Sequence, residues 1–121
     1  MIGFQDGSPA VLYLNDPKEK IWGLVVSVSA AGVVMRGLRL DSFEDWMRQE
    51  ARNEDELLGL VTAFYPLPRI ERLEEDRSVG SVVSYSERFA EAVGRTVQEA
   101  VAARAAQRDE KDEAKNEGIL H

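Results

Sequence analysis

The chain has no cysteine. A disulfide framework, a thiolate nucleophile and thiolate metal ligands are therefore all excluded, and a reducing compartment fits. Histidine is almost absent as well: the single one is His121, the last residue of the sequence. A histidine metal site, a Ser-His-Asp arrangement and a histidine general base have nothing to be built from. No apolar run approaches the roughly 20 residues that cross a bilayer. The first residues, MIGFQDGSPA, lack the basic and apolar stretches of a secretion signal. The default expectation is a cytoplasmic protein with no membrane contact. GxxxxGK[ST], GxGxxG and G-x-S-x-G are also missing, and Gly7-Ser8-Pro9 reads as a loose turn. Carboxylates fall in helix starts and in charge runs such as Glu54-Asp55-Glu56 and Glu74-Glu75-Asp76, which normally face water. We expect no enzyme, no catalytic or metal-binding residue and no cofactor.

What is present is one modest domain's worth of chain, 121 residues with a net charge of −7. An acidic surface repels phosphate backbones and so disfavours a general nucleic-acid binder, although a local basic patch can survive it.

The most informative stretch is Ile21 to Leu40. It reads as two strands joined by a tight turn at Ala30-Ala31-Gly32. Alternate side chains of a strand point to opposite faces. Trp22, Leu24, Val26 and Val28 thus share a wholly apolar face, expected as core, and Ile21, Gly23, Val25, Ser27 and Ser29 share a mixed one. In the next strand Val33 and Met35 have one parity and Leu38 and Leu40 the other. Either a bulge at Gly37 brings all four inward, leaving Arg36 and Arg39 outside, or the strand is two short pieces with a kink.

Before the hairpin, Ala10–Asn15 reads as a short strand closed by the turn signal Asn15-Asp16-Pro17. Lys18-Glu19-Lys20 leads into the hairpin. After it, 42–52 is helical, with Ser42 as cap, Asp45 at the capping-box position, and Phe43, Trp46, Met47 and Ala51 in an apolar stripe. Phe43 and Trp46 are expected to cap an open end of the strand layer. Asp41, Glu44 and Asp45 suit a helix start, which explains them without a metal. Asn53–Glu56 is an acidic loop. Leu57–Tyr65 is a strand beginning near Gly59 and ended by Pro66-Leu67-Pro68. Arg69–Glu74 is a fifth strand or the turn into one, and Glu75–Val83 is a linker. Ser84-Tyr85-Ser86-Glu87 is a capping box, and the apolar residues from Phe89 to Ala105 predict one helix from about 85 to about 107. At that length its far half must pack on another subunit, pair with a copy of itself, or fray.

The expected fold class is mainly β with added helices (α+β). A strand domain spans 1–83 with its helical insertion, a C-terminal amphipathic helix spans 84–108, and a charged tail spans 109–121. The order VLYLN, then WGLVVSVSAAGVVMRG with Gly23 at the start of the second strand, resembles the first motif of the Sm-like (LSm) family. That family has a five-stranded SH3-like barrel. The second motif is only echoed by TAFYPLPRIERL. Where the family carries an acidic residue and an asparagine in its RNA-presenting turn, Ser29 and Gly32 stand here, and the family's Arg-Gly pair is replaced around Phe64-Tyr65-Pro66. No RNA-contacting residue carries over. What the resemblance does imply is assembly into rings through sheet edges.

Three functions follow as expectations. The first is a non-catalytic self-assembling scaffold or regulatory subunit, a ring or dimer, with a further protein partner through the C-terminal helix. The second is an Sm-like RNA-binding protein using Arg36, Arg39, Arg48, Arg69 and Arg72. The third is a peptide-binding adaptor with an aromatic groove around Tyr13 and Tyr65.

Overall fold

The computed structural model describes residues 7–53 and 59–106. The readings for the first six residues, the acidic run 54–56, the start of the strand at Leu57, the charged tail and His121 lie outside these residues. Strands β1 (Pro9–Leu14), β2 (Glu19–Ser29) and β3 (Gly32–Arg39) come first. A 3-10 turn (Leu40–Ser42) leads into α1 (Phe43–Ala51). Then follow β4 (Val61–Pro66), a second 3-10 turn (Leu67–Arg69), β5 (Ile70–Glu75) and α2 (Tyr85–Val93). A further helix, α3, occupies 97–106. The chain is thus α+β. Its five strands form one antiparallel sheet in the order β4-β3-β2-β1-β5.

The sheet buries both faces. On one, Ala10, Leu12, Leu14, Ile21, Val25, Val33 and Met35 pack together, joined by Tyr65, Ile70 and Leu73 from the two outer strands. Among the described residues no helix contributes to this cluster. On the other face Val11, Trp22 and Leu24 pack against Phe43 and Trp46 of α1, Phe89 of α2, and Val97, Ala100 and Val101 of α3. The rings form a connected set: Trp22–Phe43 at 4.9 Å between centroids, Trp22–Trp46 at 5.5 Å and Trp46–Phe89 at 4.6 Å. Phe43 and Trp46 therefore pack against the sheet's second face.

Several expectations are corrected. The apolar face of β2 is buried only as far as Leu24; Val26 and Val28 are 41% and 52% exposed. Ile21 and Val25, on the supposedly mixed face, are core. The register slips in β2, where Val25 pairs with Met35 and Ser27 with Val34, so the extra residue is Val26 and not Gly37. Gly37 stays in the ladder opposite Gly23. A Cβ on Gly37 would stand 2.1 Å from the Trp22 carbonyl oxygen, and one on Gly23 would stand 2.6 Å from that of Arg36. The glycines let two backbones crowd together. Leu38 keeps its opposite parity because the second face also needs filling; it packs beside the helices.

Ser42 does not cap α1. It has helical geometry because the 3-10 turn runs directly into the helix, and its side chain makes no cap bond. Asp45 pairs instead with Arg48. Ser84 does cap α2, its hydroxyl accepting from the Glu87 N–H at 3.0 Å.

The single long helix is two. Gly94 adopts the left-handed conformation (φ 86°) and ends α2, its N–H donating to the Ala90 carbonyl. Thr96 then opens α3 with a reciprocal capping box. Its hydroxyl accepts from the Glu99 N–H at 3.1 Å, and its own N–H donates to the Glu99 carboxylate at 3.3 Å. The stripe that the sequence left to another subunit, a copy of itself or fraying, Val97, Ala100 and Val101, is buried within the same chain.

Candidate functional site

At one end of the sheet, where β1 stops, β2 starts and β3 leaves, there is a groove of about 460 Å³. Its lining includes Tyr13, Lys18, Lys20, Arg39, Asp41 and Glu71. Register builds it. Tyr13 lies between Lys20 on β2 and Arg72 on β5, each its direct cross-strand partner. Cross-strand neighbours share a face, so the three side chains form a row. The Arg72 guanidinium lies 4.0 Å from the Tyr13 ring centroid and the Lys20 ammonium 5.7 Å from it. Arg72 Nε donates to Glu74 at 2.6 Å, and Arg72 also faces Glu71 at 3.5 Å. The Glu74 bond, together with that of Tyr13, holds the guanidinium even more firmly protonated than usual. The Tyr13 hydroxyl donates to Glu74 at 3.4 Å.

The remaining sequence-predicted residues scatter. Arg39 lines the same groove and faces Asp41 at 3.8 Å. Arg69 turns inward on the β1–β2 turn, donating to the Asn15 carbonyl at 3.1 Å and the Pro17 carbonyl at 2.8 Å. Arg36 donates to the Thr62 hydroxyl at 3.1 Å, on the β4 side of the sheet. Tyr65 packs with the helix-free cluster while Tyr13 packs with the helix-covered one, so the two tyrosines stand on opposite faces and share no groove. Burial, with help from the Glu19 charge, pushes the Tyr65 hydroxyl above its ordinary range. Lys18 and Lys20 were missed as lining residues; their signal is the Lys-x-Lys spacing directly after a turn.

Two carboxylates hold the helices in place: Asp76, which the charge run Glu74-Glu75-Asp76 leads one to expect in water, is buried instead, and Glu50 was given no role by sequence reasoning. Asp76 accepts from Trp22 Nε1, the Tyr85 and Ser86 N–H groups (2.9 Å each) and the Ser86 hydroxyl (2.7 Å). It anchors the start of α2 to the sheet. Glu50, whose side chain is wholly buried, accepts from Arg95 at 2.5 Å and Arg104 at 3.1 Å, tying α1 to the link between α2 and α3 and to α3 itself. Among the described residues, no group of three or more His, Asp or Glu side chains is placed to hold a metal ion. No helix there is long and apolar enough to cross a membrane. No protein-family model matches the chain, and no curated protein or solved structure matches it.

Proposed function

We propose that the chain is a non-catalytic self-assembling scaffold or regulatory subunit built on an Sm-like, SH3-like barrel. The observation that carries the reading is the strand order β4-β3-β2-β1-β5, which leaves β4 and β5 each with one neighbour. Such edges present unpaired N–H and C=O groups that invite another strand. The barrel reading rests on the helix-free cluster. Leu12 and Met35 have no exposed surface there although no described helix covers that face, which is the behaviour of a sheet curled over its own core. The short 3-10 turn joining β4 to β5 fits the same architecture. Sedimentation equilibrium at micromolar concentration tests the reading: an oligomer is expected, and a monomer throughout overturns it.

An RNA-binding role is the second reading, favoured by Lys18, Lys20 and Arg39 lining one groove beside Tyr13. It is weakened by the acidic lining residues Asp41 and Glu71, and by Arg36, Arg69 and Arg72 engaging acceptors of their own chain. Retention of U-rich or A-rich RNA on a filter at low salt, lost in Lys18→Ala/Lys20→Ala, would put it first. No retention disposes of it.

A further inference from the structure

The two edges of the sheet are chemically unlike, and the difference selects the mode of assembly. β5 reads IERLEE and carries Glu71, Arg72, Glu74 and Glu75. Its charged side chains stand about half exposed along the strand; those of Glu71, Arg72 and Glu74 are 53%, 51% and 51% exposed. Charges on an edge strand deter a second strand from adding. β4 reads VTAFYP and carries no charge. Val61 and Phe64 are 63% and 53% exposed on it, and Leu67, just beyond, is 54% exposed. The sole deterrent on β4 is Pro66 at its far end. Apart from its ladder with β3, β4 makes no backbone hydrogen bond among the described residues.

Two copies of this chain, each with a net charge of −7, repel as they approach. The cheapest approach is through an edge free of charge. Pairing β4 of one copy with β5 of the next, as a ring requires, would lay Val61 and Phe64 alongside Glu71 and Glu74. Pairing β4 with β4 lays apolar on apolar and keeps the antiparallel pattern of the whole sheet.

Resting on the scaffold reading above, we infer that the chain forms a two-fold dimer in which β4 pairs antiparallel with β4 of a second copy, making one continuous sheet of two copies. The contact is self-complementary and uses up the unguarded edge of both copies, so growth stops at two. The outer edges of the pair are then two β5 strands, both guarded.

The absence of cysteine makes this testable in the full chain. Thr62→Cys on β4 and Glu75→Cys on β5 each introduce a lone thiol, to be joined by a short bismaleimide while the parent protein is sized by sedimentation equilibrium. The expected result is a parent dimer, with Thr62→Cys alone cross-linking to exactly two chains and Glu75→Cys alone not cross-linking. Phe64→Lys is expected to weaken self-association by roughly tenfold or more, with its circular dichroism unchanged because Phe64 is largely exposed. Val61→Lys supplies the same measurement should Phe64→Lys fold poorly. Cross-linking that needs both variants mixed, in species larger than two, overturns the two-fold mode and leaves the scaffold reading standing. A dimer in which Thr62→Cys fails to cross-link also overturns the mode. A monomer throughout overturns both.

Discussion

Glu50 is the residue on which the helical layer turns. Its side chain is wholly buried, while those of Arg95 and Arg104 keep 32% and 27% of their surface in water. The asymmetry decides which deletion hurts. In Glu50→Gln the arginines keep access to solvent and retain a neutral acceptor, so a loss of about 1–2 kcal/mol is expected. In Arg95→Met/Arg104→Met the carboxylate is stranded in the interior, and about 3–5 kcal/mol is expected. Urea denaturation at neutral pH measures both, and equal losses would contradict the account. Glu44 behaves differently because it is at the surface. Its hydrogen bond and charge contact with Arg88, at 2.6 Å, hold its carboxyl below the ordinary 4.5. A carboxyl whose folded pKa is depressed lends stability above its unfolded pKa, and that stability fades as pH falls through the lower folded value. Glu44→Gln is therefore expected to be less stable than the parent at neutral pH. The gap should close below the normal carboxylate range, as read by denaturation midpoints at several pH values.

At the scale of elements, the strands are legible because their boundaries carry local chemistry. Asn15-Asp16-Pro17, Ala30-Ala31-Gly32 and Pro66-Leu67-Pro68 carry turn or strand-ending residues, and all three bound strands here. The face assignments are less legible, since a strand covered on both sides has no alternation left to read. Trp22 and Ile21 are both core, for different cores. The split of the last helix is written in the sequence at Gly94 and Thr96-Val97-Gln98-Glu99, a stop followed by a start, but the apolar spacing runs through it and masks it. Gly94→Ala is expected to cost about 1–2 kcal/mol, because its left-handed backbone penalises any Cβ although the space around it is open. Gly37→Ala meets the opposite problem, a normal backbone with a carbonyl in the way. It should cost about 1–3 kcal/mol, toward the upper end because the obstacle is backbone. Thermal melts of the two variants check both. The groove was only half visible: Tyr13 and Arg39 are conspicuous residues, whereas the register that sets Tyr13 opposite Lys20 and Arg39 opposite Ile21 is a property of three strands at once.

For the molecule as a whole, net charge predicts the sign of a salt effect. Two acidic copies repel, and salt screens that repulsion. Self-association through uncharged β4 should tighten as ionic strength rises. Binding of a phosphate backbone through the Lys18–Lys20 groove should weaken over the same range, because released counterions no longer favour it. One salt series, followed by sedimentation and by filter binding, thus separates assembly from RNA capture by the direction of the change.

The two tryptophans of the chain, Trp22 and Trp46, lie together between sheet and helices with almost no exposed surface. Tryptophan emission, excited selectively, therefore watches a single seam of this protein. A red-shifted emission accompanied by an intact strand signal in circular dichroism would mean the helical cover has lifted from a sheet that is still folded. An unchanged emission during changes at Phe64 would localise those changes to the far rim.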